Sequence, residues 1–491
     1  MATPLNPNGN PVRIGNVTLR TPGLAGIAQS LPSQAPATRA AEQSTAELEA
    51  ALARASVQPQ ETVEISGTRE VGAPAGAAVR STSFGEPAIE VTVPDAGADW
   101  GQFLLAKDES GVVTWHFPVD AANRLDVTRG AATRTYVIRR FAAPAAATAA
   151  TRGLFGALGK KLLKVLAFRL LDPIGGEVGD YFAARWEARS RPYRFRSFLT
   201  ASYQAEDVPP LGPDDWHALS AGRSLLMIHG TISRTQSAFG SLSPATVQAL
   251  HDRYQGRVFS FDHFTLSEDP KQNVEWFFSH VPDGTKLEVD VVCHSLGGLV
   301  ARELAERESE FSLGSRQLAV RRVVFVAVPN AGTILANADY MNDFVDSYTN
   351  LLNFLPDNGV SETFETVITV AKQLSVGALR GLDGLQSMKP GGGFLTALNT
   401  GARDGKRYFA LSANFEPKDP GWKAWATDRL LDKIFKADND LVVPTLGVYD
   451  RNGSGFFPIE EREVFDKDAG IAHTAFFGDP RVQAKILEWL A

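Results

Sequence analysis

Cysteine, positive charge and long hydrophobic runs are all scarce in this chain. Its 491 residues include one cysteine, Cys293. A lone thiol excludes any internal disulfide, so the fold does not depend on an oxidising compartment. Lys and Arg number 49 against 56 Asp and Glu, a net charge of −7. That balance lacks the basic footprint that nucleic-acid binding needs, and no nucleic-acid partner is expected. The longest apolar stretch, residues 162–171, is broken by Lys164 and Arg169. It falls short of the roughly 20 residues that span a bilayer. The N-terminus, Met1-Ala2-Thr3-Pro4-Leu5-Asn6-Pro7, has neither a charged n-region nor an apolar h-region, which leads us to expect a cytoplasmic protein.

What is present suffices for a large core, since 44% of the residues are hydrophobic and the length allows about three domains. Residues 1–58 are rich in Ala, Pro, Ser and Thr and poor in aromatics, so a flexible tail is expected. Within it, Leu48 and Leu52 have the spacing of a short helix over 41–55. Residues 59–142 carry short alternating runs, such as Ile89-Glu90-Val91-Thr92-Val93 and Thr135-Tyr136-Val137-Ile138. Period two with turn punctuation predicts a small β-domain. His116, between Trp115 and Phe117, reads as a structural histidine.

Residues 143–205 read as a linker followed by an amphipathic helical segment. Leu158, Leu162, Val165 and Leu166 fall on one helical face, and Lys160, Lys161 and Lys164 on another. The local basic excess over 152–196 is read first as a helix docked on the neighbouring domain with a solvated basic face; a peripheral membrane contact is the competing reading.

From residue 206 onward, apolar strands alternate with helical patterns, which predicts an α/β fold with a mostly parallel sheet. The strands read over 224–228, 258–261, 286–292, 320–326 and 407–411. In such sheets sites lie at the carboxyl ends of strands. One end carries Cys293-His294-Ser295-Leu296-Gly297, between a β-branched run and a helix former. A strand, a sharp turn and a helix would hold the Ser295 hydroxyl on a strained tip, a nucleophile elbow. The crowded turn needs small residues on both sides of the serine, which Gly297 satisfies fully and Cys293 tolerably.

Another strand end carries His229-Gly230-Thr231. Acyl transfer needs N–H groups aimed at the oxygen that becomes negative, and an open glycine turn lets the main chain approach. Thr231 N–H and Leu296 N–H are the expected pair, with His229 and Gly230 supporting the loop. In this fold type the order is nucleophile, acid, histidine, and the sole histidine after Ser295 is His473. It is the expected base. For the acid, Asp440 heads the candidates, at the start of Leu441-Val442-Val443-Pro444; Asp438 and Glu416 compete.

Together with Val328-Pro329-Asn330-Ala331-Gly332-Thr333, these motifs resemble an α/β-hydrolase of the bacterial lipase and PGAP1-like esterase group. The resemblance covers the C-terminal part, from about residue 211. It implies carboxylic-ester hydrolysis through an acyl-enzyme on Ser295, with no cofactor and no metal. The substrate would be an acyl ester or a lipid, and phospholipids are included. An amidase, peptidase or acyltransferase with the same triad is the alternative, and a non-catalytic platform a third reading. Residues 334–394 form an insertion with two apolar stripes: Phe344, Tyr348, Leu351 and Leu355, then Phe364, Val367, Ile368, Ala371 and Leu374. These fit either a lipid-facing cap over Ser295 or helices packed on the domain, with Gly391-Gly392-Gly393 as a candidate hinge. Nothing in the sequence sets an oligomeric state.

Overall fold

The structure is a computed structural model. It describes residues 2–32, 42–71, 87–97, 99–108, 112–119, 133–139, 160–170, 178–351, 360–375, 382–400, 405–416, 437–450 and 457–491.

The N-terminal part departs from the sequence expectation. Residues 2–31, expected to be flexible, form β1 (Ala2–Pro4), β2 (Val12–Ile14), β3 (Val17–Arg20) and β4 (Leu24–Leu31). The expected short helix is α1 (Glu42–Arg54). Composition misled because the segment's paucity of aromatics hides a local alternation. Ile14, Val17, Leu19, Leu24 and Ala28 are all buried, and such a period-two face needs only a partner sheet to pay its ordering entropy. The partners are β5 (Val57–Glu70), β6 (Pro87–Pro94), β7 (Trp100–Asp108), β8 (Val113–His116), β9 (Thr133–Arg139) and β10 (Lys161–Arg169). They assemble into a six-stranded sheet, β1-β4-β5-β10-β7-β8, and a four-stranded one, β2-β3-β6-β9. The β-domain therefore reaches well beyond the 59–142 anticipated.

Strand β10 is the second correction, since its residues were expected to be an amphipathic helix. It pairs antiparallel with β5 on one side and β7 on the other. Leu163, Val165, Leu166, Ala167 and Phe168 are buried. A short apolar run of this kind satisfies both periodicities, and a vacant place between two strands decides for extended backbone. Lys160, just before the strand, pairs with Glu64 at 2.7 Å while remaining exposed, and Lys164 pairs with Glu49. The rest of the segment contributes α2 (Val178–Ser190) and β11 (Arg194–Ser197), the latter already an edge of the next sheet. The linker residues 143–159 lie outside the described residues.

The C-terminal part has the α/β sheet that the sequence predicts. Its strands are β11, β12 (Ser224–Ile228), β13 (Val258–Asp262), β14 (Lys286–His294), β15 (Gln317–Val326), β16 (Arg407–Ala413) and β17 (Ile459–Phe465). Their order is β11-β13-β12-β14-β15-β16-β17, parallel throughout apart from β11. From β12 the chain steps outward to β13, then crosses back to β14 on the other side. This reversal is a topological switch point, beside which sheets of this kind carry their sites. After β14 comes α3 (Gly297–Glu306), buried over most of its length.

The insertion supplies α4 (Met341–Leu351) and α5 (Val360–Ser375). Phe344, Tyr348, Leu351, Phe364, Val367, Ile368, Ala371 and Leu374 are buried; Leu355 lies outside the described residues. These stripes belong to one apolar cluster that runs from Leu48, Phe103 and Trp115 of the β-domain to Val291 and Cys293 of the sheet. The cap faces are thus packed, not displayed. Polar groups tie the same seam. The backbone N–H groups of Val113 and Trp115 donate to Asn350 Oδ1 (3.0 Å) and Asp346 Oδ1 (2.8 Å) on α4. Asn350 Nδ2 donates to Val113 O at 2.7 Å, and Trp115 Nε1 to Thr349 Oγ1 at 2.8 Å. Strand β8 is an edge strand, and helix side chains stand in for a neighbouring strand. Among the described residues no helix is long and apolar enough to cross a membrane.

Candidate active site

Strand β14 ends at His294, and the chain turns at Ser295 into α3. Ser295 has φ +50°, a left-handed conformation that costs an L-residue about 1–2 kcal/mol. The surrounding groups hold it there. Ser295 N–H donates to Val326 O at 3.0 Å. A Cβ on Gly297 would lie 2.7 Å from Ile228 O and collide with His229 O, so only glycine lets the elbow seat against β12. Cys293, two residues before the serine, is fully buried and its Sγ donates to Val324 O at 3.4 Å. Burial pushes the thiol well above its ordinary pKa, which suits packing and not nucleophilic attack.

Three side chains from separate segments converge on this turn. His473 Nε2 lies 3.0 Å from Ser295 Oγ, across 178 residues of sequence. His473 Nδ1 lies 2.8 Å from Asp440 Oδ2. The other carboxylate oxygen accepts N–H bonds from Val442 (3.0 Å) and Val443 (2.7 Å), while His473 N–H donates to Asp440 O at 3.0 Å. With the carboxylate on Nδ1, the neutral ring carries its proton there and leaves Nε2 to accept from the serine. Of the three carboxylate candidates, the structure brings Asp440 to the histidine. Asp438 is exposed, and Glu416 pairs with Lys467 at 3.7 Å.

The His229-Gly230-Thr231 turn packs directly against the elbow. A Cβ on Gly230 would lie 2.5 Å from Ser295 Cβ and 2.8 Å from His294 O. Glycine is required here for the close approach of the turn to the elbow. Among the described residues neither the Thr231 nor the Leu296 N–H donates to a backbone carbonyl. His229 holds the turn from behind. Its Nδ1 donates to Gly230 O (3.1 Å), and its Nε2 accepts from His263 N–H (3.1 Å). Desolvation keeps this ring neutral, helped by His263, whose ring stacks on it at 4.4 Å.

Sequence reasoning missed three residues of the site. His263, at the end of β13, bonds His229 O through Nε2 at 3.0 Å; its place at a strand end beside the switch point was the available signal. His294, next to the serine, donates from Nε2 to His473 O at 2.9 Å. Burial lowers its pKa to about 3, so it is a neutral prop for the base. Tyr348 of α4 sets its ring 6.3 Å from that of His473, edge to face. Nothing in its hydrophobic stripe distinguished its polar tip. Ser295 is 1% exposed and His473 fully buried, so the site is shielded from solvent. Among the described residues no group of three or more His, Cys, Asp or Glu side chains is arranged to hold a metal.

Comparison with known proteins supplies the remaining context. Mature lipase BlEst2 of Bacillus licheniformis is similar at 14% identity and TM-score 0.33, over 54% of this chain and 91% of that one. Lipase 1 of Pelosinus fermentans is similar at 12% identity and TM-score 0.35, over 55% and 97%. Phospholipase PlaB of Legionella pneumophila is similar at 14% identity and TM-score 0.35, over 55% of this chain and 60% of its own. No curated protein matches the sequence. Residues 190–491 match one family model, which spans the parallel sheet, the cap and all the converging residues, and the chain belongs to that family, described as a domain of unknown function (DUF7379).

Proposed function

We propose that this chain is a serine hydrolase of the α/β-hydrolase superfamily that cleaves carboxylic esters through an acyl-enzyme on Ser295. The observation that carries the reading is the unbroken run Asp440–His473–Ser295, at 2.8 and 3.0 Å, on a strained turn at the switch point of a parallel sheet. Ser295 Oγ attacks the acyl carbon, and its proton passes to His473 Nε2. The carbonyl electron pair moves onto the acyl oxygen, which the N–H groups of Thr231 and Leu296 receive. As the tetrahedral species collapses, His473 returns the proton to the leaving alkoxide. A water molecule then repeats the sequence on the acyl-enzyme and frees the acid. Asp440 holds the imidazole in register and stabilises its charged form.

The motifs around Ser295, Asn330 and Asp440 support placement in the lipase and PGAP1-like esterase group, and acyl esters, lipids included, as the substrate class. Entry to a serine this buried requires the cap to move, so turnover is gated. The test is labelling of the purified full chain with a fluorophosphonate probe, beside Ser295→Ala. Labelling that vanishes in the variant supports the reading, together with a loss on the order of 10⁶ in kcat on p-nitrophenyl esters. A wild type that neither labels nor turns over defeats it.

A further inference from the structure

Tyr348 of α4 is a polar side chain close to the serine and to His473. Its hydroxyl is buried, with the residue 2% exposed, and makes no hydrogen bond of regular geometry, although Ser295 and Thr231 both lie near it. Both Ser295 and Thr231 lie close enough to favour the charged form of the phenol, yet desolvation and the Asp440 charge outweigh them and push its pKa up. A buried hydroxyl without a partner costs about 1–3 kcal/mol. Phenylalanine would fill the same space without that cost. The tyrosine is also held in place. Residues 346, 349 and 350 of the same helix are hydrogen-bonded to strand β8 of the β-domain, so one face of α4 is clamped while Tyr348, between them in sequence, sets its ring against His473.

We propose that Tyr348 is a third donor to the acyl oxygen, delivered from the cap and aimed by the β-domain, which thereby forms part of the catalytic apparatus. This rests on the serine-hydrolase reading above. As the Ser295 Oγ–carbon bond forms, the carbonyl π pair moves onto oxygen and the serine proton goes to His473 Nε2. Tyr348 keeps its own proton and shares it as a hydrogen bond with that oxygen. The hydroxyl sits beside Thr231 and Ser295, the two residues between which the oxygen develops its charge. In the resting enzyme it makes no hydrogen bond of regular geometry, and the acyl oxygen supplies one in the reacting complex. Such a donor favours the transition state over the bound substrate, which is the condition for raising kcat.

The test compares the full chain with Tyr348→Phe. We expect kcat on p-nitrophenyl butyrate to fall about 10- to 10²-fold, with KM within about twofold. The inhibition constant of a trifluoromethyl ketone, whose adduct carries the same oxyanion, should rise by the same factor. The melting temperature should hold or increase, since a buried hydroxyl without a regular hydrogen bond has been removed. A merely structural tyrosine would not produce matched changes in kcat and oxyanion binding. If Tyr348→Phe labels with the phosphonate probe and keeps kcat within twofold of wild type, or exceeds it, the donor role is overturned and the side chain is only a plug. A wild type that neither labels nor turns over overturns the hydrolase reading, and this proposal with it.

Discussion

Gly230→Ala probes the junction on which the proposed chemistry depends. The added methyl carbon would start 2.5 Å from Ser295 Cβ and 2.8 Å from His294 O. Carbon atoms pack at about 3.5–4.0 Å, so the turn and the elbow must part by about 1 Å. Neither yields freely. The elbow is fixed by Ser295 N–H on Val326 O and by Gly297 against Ile228, and the turn by the His229–His263 pair. Overpacking of this kind costs about 1–3 kcal/mol of stability. Displacing a catalytic group by about 1 Å costs on the order of 10² in rate, equivalent to about 2.7 kcal/mol of barrier. The assay is kcat/KM on p-nitrophenyl butyrate with a parallel thermal melt. We expect kcat/KM to fall about 10²-fold and the melting temperature to drop by a few degrees. Wild-type kcat/KM in a variant that melts lower would refute the reasoning, because the turn would have moved without disturbing any group that meets the acyl oxygen.

Asp440→Asn should lower kcat by about 10⁴ by disturbing the His473 tautomer, whereas Asp438→Asn and Glu416→Gln stay near wild type; equal losses in all three would remove Asp440 from the triad. Ser295→Gly should be more stable than Ser295→Ala by about 1 kcal/mol in urea unfolding, since only glycine relieves the strain at φ +50°; the reverse order would show that the elbow stores no strain. Glu303, buried in α3, has its pKa raised to about 7 by desolvation, against which Arg307 at 3.6 Å acts only partly. The folded state therefore keeps a proton that the unfolded state releases, so this stability is present below the ordinary glutamate pKa and is lost as pH rises through about 7. Unfolding at pH 5 and pH 8 should show a smaller pH loss in Glu303→Gln, by up to about 3 kcal/mol; identical profiles would show that the carboxyl is solvated.

The C-terminal sheet was legible because each strand is a local run with its own turn signals. The strands expected at 224–228, 258–261, 286–292, 320–326 and 407–411 all form, with ends differing by a few residues. The N-terminal part was less so. Residues 161–169 carry leucines and lysines at spacings that fit helix or strand, and the choice fell to the gap between β5 and β7. The cap stripes were seen correctly as apolar, but a stripe does not say what covers it. Here the answer is the β-domain, through α1, β7 and β8.

By itself, the sequence determined the parts of the site that are chain-local. A strand, a small-residue turn and a helix define the elbow around Ser295, and counting histidines singles out His473. Tertiary structure alone decided which carboxylate reaches that histidine, which histidines prop the turn, and that Tyr348 packs edge to face on His473. The physical reason is one of range. Backbone conformation and hydrophobic period are set by neighbours a few residues away. A hydrogen bond between residues 33 or 178 positions apart is set by how whole layers pack, and a polar tip on an apolar stripe acquires meaning only from what the stripe is packed against.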